Sequence, residues 1–157
     1  MVTILIGRIA SGKTYIARRL KKGNSAILLS CDKLMLTLFD ECLGEHHNEM
    51  QAKCYRYLYD LSLEIDAAGG DTILDFGFWT QAQRREAEEF YRAANIKLKR
   101  IYIVSDDTER KKRLKKRNAA AERHLGRQYI ISPEMLEVFD SRFEKPESWE
   151  YDELFTN

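Results

Sequence analysis

Cysteine, proline and long apolar runs are all scarce in this 157-residue chain, and each scarcity excludes something. The three cysteines, Cys31, Cys42 and Cys54, form no C-x-x-C pair. An odd count without metal spacing argues against a disulfide framework or a zinc module and for reduced thiols. There are only two prolines, and no stretch rich in Gly, Ser or Pro divides the chain, so one domain over residues 1–157 is expected. No apolar run approaches the roughly 20 residues of a membrane-spanning helix. The apolar start is short and has no basic flank ahead of it, so neither a membrane span nor a signal peptide is expected, and the expected location is cytoplasmic. The 26 basic and 25 acidic residues nearly cancel to a formal net charge of +1. That balance offers no global field for nucleic acid and no acidic excess that would suggest disorder. His46-His47 is an adjacent pair whose rings would point different ways on a helix, and no cysteine completes a ligand set with it, so a solvated loop is expected there.

What the chain does have is a phosphate loop. Residues 7–14, Gly7-Arg8-Ile9-Ala10-Ser11-Gly12-Lys13-Thr14, match G-x-x-x-x-G-K-[ST]. The preceding Val2-Thr3-Ile4-Leu5-Ile6 reads as a buried strand, and the stretch from Thr14 to Leu20 reads as the start of a helix. In that context successive backbone N–H groups and the positive end of the helix wrap an anionic phosphate. Gly7 and Gly12 supply backbone shapes that a Cβ would block. The nucleotide-contacting set is Gly7 to Gly12, Lys13, Thr14 and Tyr15, with Lys13 reaching the β- and γ-phosphates and Thr14 ligating Mg²⁺.

Strand-like and helical runs then alternate. Strands are expected at residues 26–30, 72–76 and 98–104, and more weakly within 151–157. Helices are expected from near Asp32, over about 48–68, after a capping box at Thr80-Gln81-Ala82-Gln83, after Asp106, and from Ser132-Pro133 to about Phe143. Repeated β-α units with apolar strands imply an α/β fold, a three-layer α/β/α sandwich with a mainly parallel sheet. Ligands in such sheets bind beyond the carboxyl ends of the strands. That rule singles out Asp32, after the second strand, and Asp75, at the end of the third, beside the loop after the first. One of them would act as general base and the other would serve Mg²⁺; Asp75 fits the Walker B pattern and Asp32 fits a base, but the residues alone do not fix which takes which role. Residues 110–117 are a dense basic helix. Most of it would be a solvated face, but a phosphoryl-transfer site needs cations in a closing lid, here about residues 114–130. Arg117 is the first candidate and Arg113, four residues earlier on the same face, the second; Arg123 and Arg127 follow in the lid segment. Phe76, Phe78 and Trp79 are either core packing or an apolar wall for an acceptor, while Tyr55, Tyr57 and Tyr59 read as packing residues.

These residues together resemble the P-loop kinase group of AAA-domain ATP-binding proteins, which includes chloramphenicol phosphotransferase, zeta toxins and the kinase half of polynucleotide kinase. The chain is most similar to small bacterial ATP-binding proteins with little assigned function. The resemblance rests on the loop, Ser30-Cys31-Asp32, Leu74-Asp75-Phe76-Gly77-Phe78-Trp79, Arg117-Asn118 and Phe143-Glu144-Lys145-Pro146, and spans nearly the whole chain. It implies an ATP- and Mg²⁺-dependent kinase with Asp32 as base, Arg117 as lid arginine and residues 143–152 near the adenine. Polynucleotide kinase-like members carry an arginine three residues after the catalytic aspartate, where this chain has Met35. That departure disfavours nucleic acid as a partner and points to a neutral or cationic small-molecule acceptor. Two alternatives stay open: a nucleotide-binding regulatory module that phosphorylates no acceptor, and a polynucleotide 5′-hydroxyl kinase.

Overall fold

The computed structural model describes residues 1–40, 42–123 and 128–156. Five strands, β1 (Val2–Ile6), β2 (Ile27–Leu29), β3 (Thr72–Gly77), β4 (Leu98–Val104) and β5 (Glu153–Thr156), form one sheet in the order β2-β3-β1-β4-β5. Every pairing in it is parallel. Among the described residues six α-helices accompany it: α1 (Lys13–Asn24), α2 (Cys31–Phe39), α3 (His47–Ala67), α4 (Gln81–Ala93), α5 (Asp107–Arg123) and α6 (Pro133–Ser141).

Strand periodicity divides the core. Val2, Ile4 and Ile6 of β1, Leu74 of β3 and Tyr102 of β4 face a cluster with Met35, Leu58, Ala87 and Tyr91 from α2, α3 and α4. The alternate residues Leu5, Ile73, Ile101 and Ile103 meet Ile16 and Ala17 of α1 on the opposite face. A parallel sheet covered on both faces needs apolar residues at both parities, which is why β1 reads as a continuous apolar run. A third, smaller cluster of Leu114, Ile131 and Leu136 joins α5 and α6 to Ile9 and Ala10 of the phosphate loop. The connections after β1 and β4, which are neighbours, leave in opposite directions, toward β2 and β5. Their carboxyl ends therefore border the crevice where α/β sheets take ligands.

The expected elements are present, with shifted ends. The last strand is real, α6 stops at Ser141, two residues short of Phe143, and α3 begins at His47. β3 runs on to Gly77, which pairs with Ile6 across an irregularity in the β1–β3 register, so Asp75 lies inside the strand rather than at its end. Arg127 and the middle of the expected lid, residues 124–127, lie outside the described residues. No helix among the described residues is long and apolar enough to cross a membrane.

Two motifs more than 60 residues apart in sequence form one joint. The Glu144 amide donates to the Trp79 carbonyl at 2.9 Å, and the Glu144 carboxylate accepts from the Gln81 amide at 2.7 Å. Arg84, 3% exposed, donates through Nη1 to the carbonyls of Phe78, Trp79 and Glu144 at 3.1–3.2 Å. Its Nε and Nη2 meet the buried Glu150 carboxylate at 2.7 and 3.3 Å. The segment from Phe143 to Tyr151 also packs both of those rings on Tyr102 of β4. Residues 143–152 thus contact the β3–α4 turn, α4 and β4.

Candidate active site

The phosphate loop is built from two kinds of glycine constraint. At Gly7 the obstacle is space: an added Cβ would lie 2.8 Å from the Ile103 carbonyl oxygen of β4 and 2.7 Å from Ser11 Oγ. At Gly12 it is conformation, φ 103°, and Ala10 at φ 59° is left-handed as well. These left-handed residues shape a loop in which backbone N–H groups can turn toward one point, a nest for an anion. Gly12 sits at the α1 N-cap with no side-chain cap, so the first amides of α1 have no side chain competing for them. Lys13 Nζ donates to the carbonyls of Gly7 and Arg8 at 2.9 and 2.8 Å. Burial holds its ammonium below the ordinary lysine range, while Asp75 and Asp32 pull it back up. Tyr15 is 61% exposed, with the Arg19 guanidinium 5.8 Å from its ring centre.

Side chains from α5 and α6 clamp this loop. The Arg8 guanidinium pairs with Asp107 at 2.9 Å and reaches Asp140 at 3.8 Å, which leaves its backbone to face a ligand. Arg110, 1% exposed, donates Nε to the Ile9 carbonyl at 3.0 Å and grips Asp107 and Asp140 with its other nitrogens. Arg113 donates to the Ser11 carbonyl at 3.4 Å and to Ser105 Oγ at 3.2 Å. Arg113 therefore braces the loop from outside, whereas Arg117 turns into the site.

Thr14 Oγ1 donates to Asp75 Oδ2 at 3.1 Å. A hydroxyl and a carboxylate at this spacing offer hard oxygen donors of the kind Mg²⁺ takes, and the pair lies at the mouth of the phosphate nest. No cluster of three His, Cys, Asp or Glu suited to a metal occurs among the described residues.

Asp32 has a second ordinary explanation, helix capping, and the geometry removes it. Ser30 caps α2, its hydroxyl accepting from the Lys33 amide, and the Asp32 carboxylate lies in the first turn with no capping role. The residue is open to solvent by area, yet protein atoms crowd its carboxylate. Burial and Asp75 raise its pKa above the ordinary aspartate range, and Lys13, Arg117 and His47 pull it down. Arg117 is depressed by burial and supported by Asp32, and its Nε is buried without a hydrogen-bond partner among the described residues. Lys13, Asp32, Asp75 and Arg117, from four different elements, thus share one electrostatic neighbourhood.

Three residues around the site escape sequence reading. His47, expected in a solvated loop, instead opens α3, and its ring meets Tyr129 edge-on at 5.5 Å. The short turn Gly44–His46 runs directly into α3, and the His47 ring lies against Tyr129 rather than in solvent. His47 Nδ1 and the Tyr129 hydroxyl are both buried and lack hydrogen-bond partners among the described residues. The Tyr129 phenol is pushed up to about 12, by burial first and then by the Asp32 charge. Asn118 explains how Tyr129 is held, because its side chain exchanges two hydrogen bonds with the Ile131 backbone at 2.7 and 3.2 Å. Arg110 is the third. Its signal was present in the helical stripe Arg110, Leu114, Arg117, Ala121, all turned inward, but the density of surrounding lysine masked it.

The aromatic residues divide as well. Tyr55 and Tyr59 pack on Phe76 with ring centres 4.8 and 5.8 Å away, while Tyr57, on the opposite side of α3, is 58% exposed and does not pack. Trp79 turns away to Phe139 of α6, at 5.5 Å.

A family model described as an AAA domain matches residues 2–144. A candidate kinase from Chloroflexus aurantiacus is 25% identical, with a TM-score of 0.74, over 99% of this chain and 85% of that one. Kti12 of Chaetomium thermophilum, solved with ADP-AlF3, is 17% identical with a TM-score of 0.73 over 100% and 88% of the two chains. The APS kinase CysC of Mycobacterium tuberculosis, solved with AMPPNP and APS, is 20% identical with a TM-score of 0.67 over 99% and 87%. No curated protein sequence matches the chain.

Proposed function

The chain belongs to this AAA-domain family of P-loop kinase-like proteins, and on that premise we propose that it is an ATP-dependent phosphotransferase acting on a hydroxyl of a small molecule. The observation that carries the reading is the meeting of Lys13, Asp32, Asp75 and Arg117 at one end of the sheet, each acting on the charge of another. The backbone of residues 7–12, with Lys13 to Tyr15 behind it, holds the phosphates. Lys13 exchanges its two loop carbonyls for β- and γ-phosphate oxygens. Thr14 and Asp75 would hold Mg²⁺, which when bound neutralises charge on those phosphates. Asp32 orients the acceptor hydroxyl and accepts its proton. The hydroxyl oxygen bonds to the γ-phosphorus while the bond from that phosphorus to the β,γ-bridging oxygen breaks, and ADP leaves. Arg117, carried by a lid of about residues 114–130 within a single domain, neutralises the transferring group. Arg113 contributes by fixing Ser11. The free thiols of Cys31, Cys42 and Cys54 fit a cytoplasmic setting.

The test is transfer from γ-labelled ATP to a panel of antibiotics, nucleosides, sugars and oligonucleotides, with mass spectrometry locating the added phosphoryl group. Asp32→Asn should reduce transfer about 10²–10⁴-fold. Full-rate transfer by both Asp32→Asn and Lys13→Ala would refute the mechanism. The oligonucleotide arm covers a second reading, a polynucleotide 5′-hydroxyl kinase, favoured by the exposed lysines 111, 112, 115 and 116 along one side of α5.

A further inference from the structure

A cavity of about 310 Å³ opens between α3, α4 and the end of β3. Its walls are rings: Tyr55 and Tyr59 from α3, Phe76 and Phe78 from β3 and the turn after it, and Phe90 from α4. Phe76 and Phe78 stack at 5.6 Å with planes 21° apart, and Tyr59 meets Phe90 at 5.0 Å. The cavity falls at the lower end of the roughly 300–1,000 Å³ typical of small-molecule pockets.

One wall is held under strain. Phe78 is 3% exposed at φ 46°, a left-handed conformation that a bulky side chain rarely adopts. The Arg84 bonds to the carbonyls of Phe78 and Trp79 fix it there. Such strain persists where the surroundings over-determine it, and it clusters at ligand clamps.

The cavity also adjoins the transfer site. Cys31, next to Asp32, places its Sγ 4.0 Å from the Gln51 carbonyl of α3, beside Ala52 and one turn before Tyr55, both of which line the cavity. Tyr55 lines the cavity on one side and feels the Asp32 charge on the other, its phenol pushed up by burial first and then by Cys31 and Asp32. At the rim, Arg56 stands against two carboxylates, Asp60 and Glu86. Met35, where a phosphate-holding cation would stand, is fully buried in the core.

We propose that this cavity binds the aromatic ring of the phosphoryl acceptor, which is therefore a hydroxyl-bearing aromatic compound, neutral or cationic and without a phosphate of its own. Ring stacking supplies the affinity, and the rim carboxylates disfavour anions. The proposal rests on the phosphotransfer reading for what happens to the hydroxyl, but ring binding itself needs no ATP.

The experiment is ligand-observed NMR titration of the full chain without ATP, using four probes: benzyl alcohol, tyramine, phenyl phosphate and cyclohexylmethanol. Benzyl alcohol and tyramine should bind, and the other two should bind at least tenfold more weakly. Tyr59→Leu and Phe90→Leu, which keep apolar volume and remove a ring, should weaken the aromatic probes about two- to tenfold. Glu86→Gln, at an exposed position, should weaken tyramine and leave benzyl alcohol unchanged, which keeps the test available should a ring variant fail to fold. Equal binding of cyclohexylmethanol, preference for phenyl phosphate, absence of binding by any probe, or ring variants that fold and bind normally would each overturn the proposal. Probe binding by a chain that transfers no phosphate to aromatic alcohols upholds the ring site and counts against the phosphotransfer reading. Transfer to sugars without ring binding does the reverse.

Discussion

Replacing Arg84 with methionine isolates the joint that holds the β3–α4 turn to the C-terminal segment. The wild-type guanidinium spends its donors on Glu150 Oε1 and Oε2 and on three backbone carbonyls. Methionine keeps most of the apolar stem and leaves Glu150 Oε1 and the carbonyls of Phe78 and Glu144 without the Arg84 donor, while Glu150 Oε2 keeps the Glu147 amide and the Trp79 carbonyl keeps the Glu144 amide. Removing one partner of a buried ion pair costs about 3–5 kcal/mol. Glu150 is covered, at 4% exposure, but close beneath the surface, which favours the lower end of that range. For a domain of this size, about 3 kcal/mol corresponds to a fall in Tm of roughly 6–12 °C. Urea unfolding at pH 7 should show the midpoint falling with the m-value unchanged. A pH series supplies the sign. In the wild type, burial is the largest single influence on Glu150 and would raise it, but the Arg84 hydrogen bond and charge, the Glu147 amide and the Arg100 charge together hold the carboxyl below its ordinary 4.5. Its stabilisation is therefore present above 4.5 and is lost as pH falls through the depressed folded value. In the variant the Glu147 amide and Arg100 still support the carboxylate, but without Arg84 the burial counts for more and shifts the carboxyl upward, so the penalty fades as the pH falls. The gap between the two proteins should therefore narrow from pH 7 toward pH 4. Glu150→Leu added to Arg84→Met should recover part of the loss. A loss below about 1 kcal/mol, or a gap independent of pH, would refute the reasoning.

Three further outcomes are expected. Gly7→Ala must displace either the Ile103 carbonyl or the loop; it should cost about 1–3 kcal/mol and weaken ATP binding, both readable by calorimetry. The acid limb of kcat/KM should lie above 3.8, because burial and Asp75 disfavour the charged form of Asp32. Asp32→Asn should in turn raise Tm at neutral pH, a gain that disappears as pH falls through the raised folded value; a limb at 3.8 or below, or no gain, counts against this. Asn118→Ala removes two hydrogen bonds to Ile131 and should cost about 1–3 kcal/mol. Because Ile131 packs with Leu114 and Leu136 against Ile9 and Ala10, the substitution should also weaken ATP binding, though less than Gly7→Ala, both readable by calorimetry.

The sequence by itself determined the parts of this protein whose physics is local. Residues 7–14 announce a phosphate loop because glycine spacing, a strand before and a helix after are all read within twenty residues. The strands follow from apolar runs, and the caps at Ser132 and Thr80 follow from hydrogen bonds spanning three residues. Even Asp32 and Asp75 could be named, because a parallel sheet places its strand ends together. Only the tertiary structure decided which side chain faces what. Ser30 rather than Asp32 caps α2, Arg113 braces the loop while Arg117 enters the site, and Arg110 is buried in the middle of a basic run. His47 meets Tyr129 across 82 positions, and the rings of α3, β3 and α4 enclose a cavity. Such facts depend on the packing of distant elements and on a helix rotation of about 100° per residue, and periodicity along the chain does not say which distant neighbour a side chain will meet.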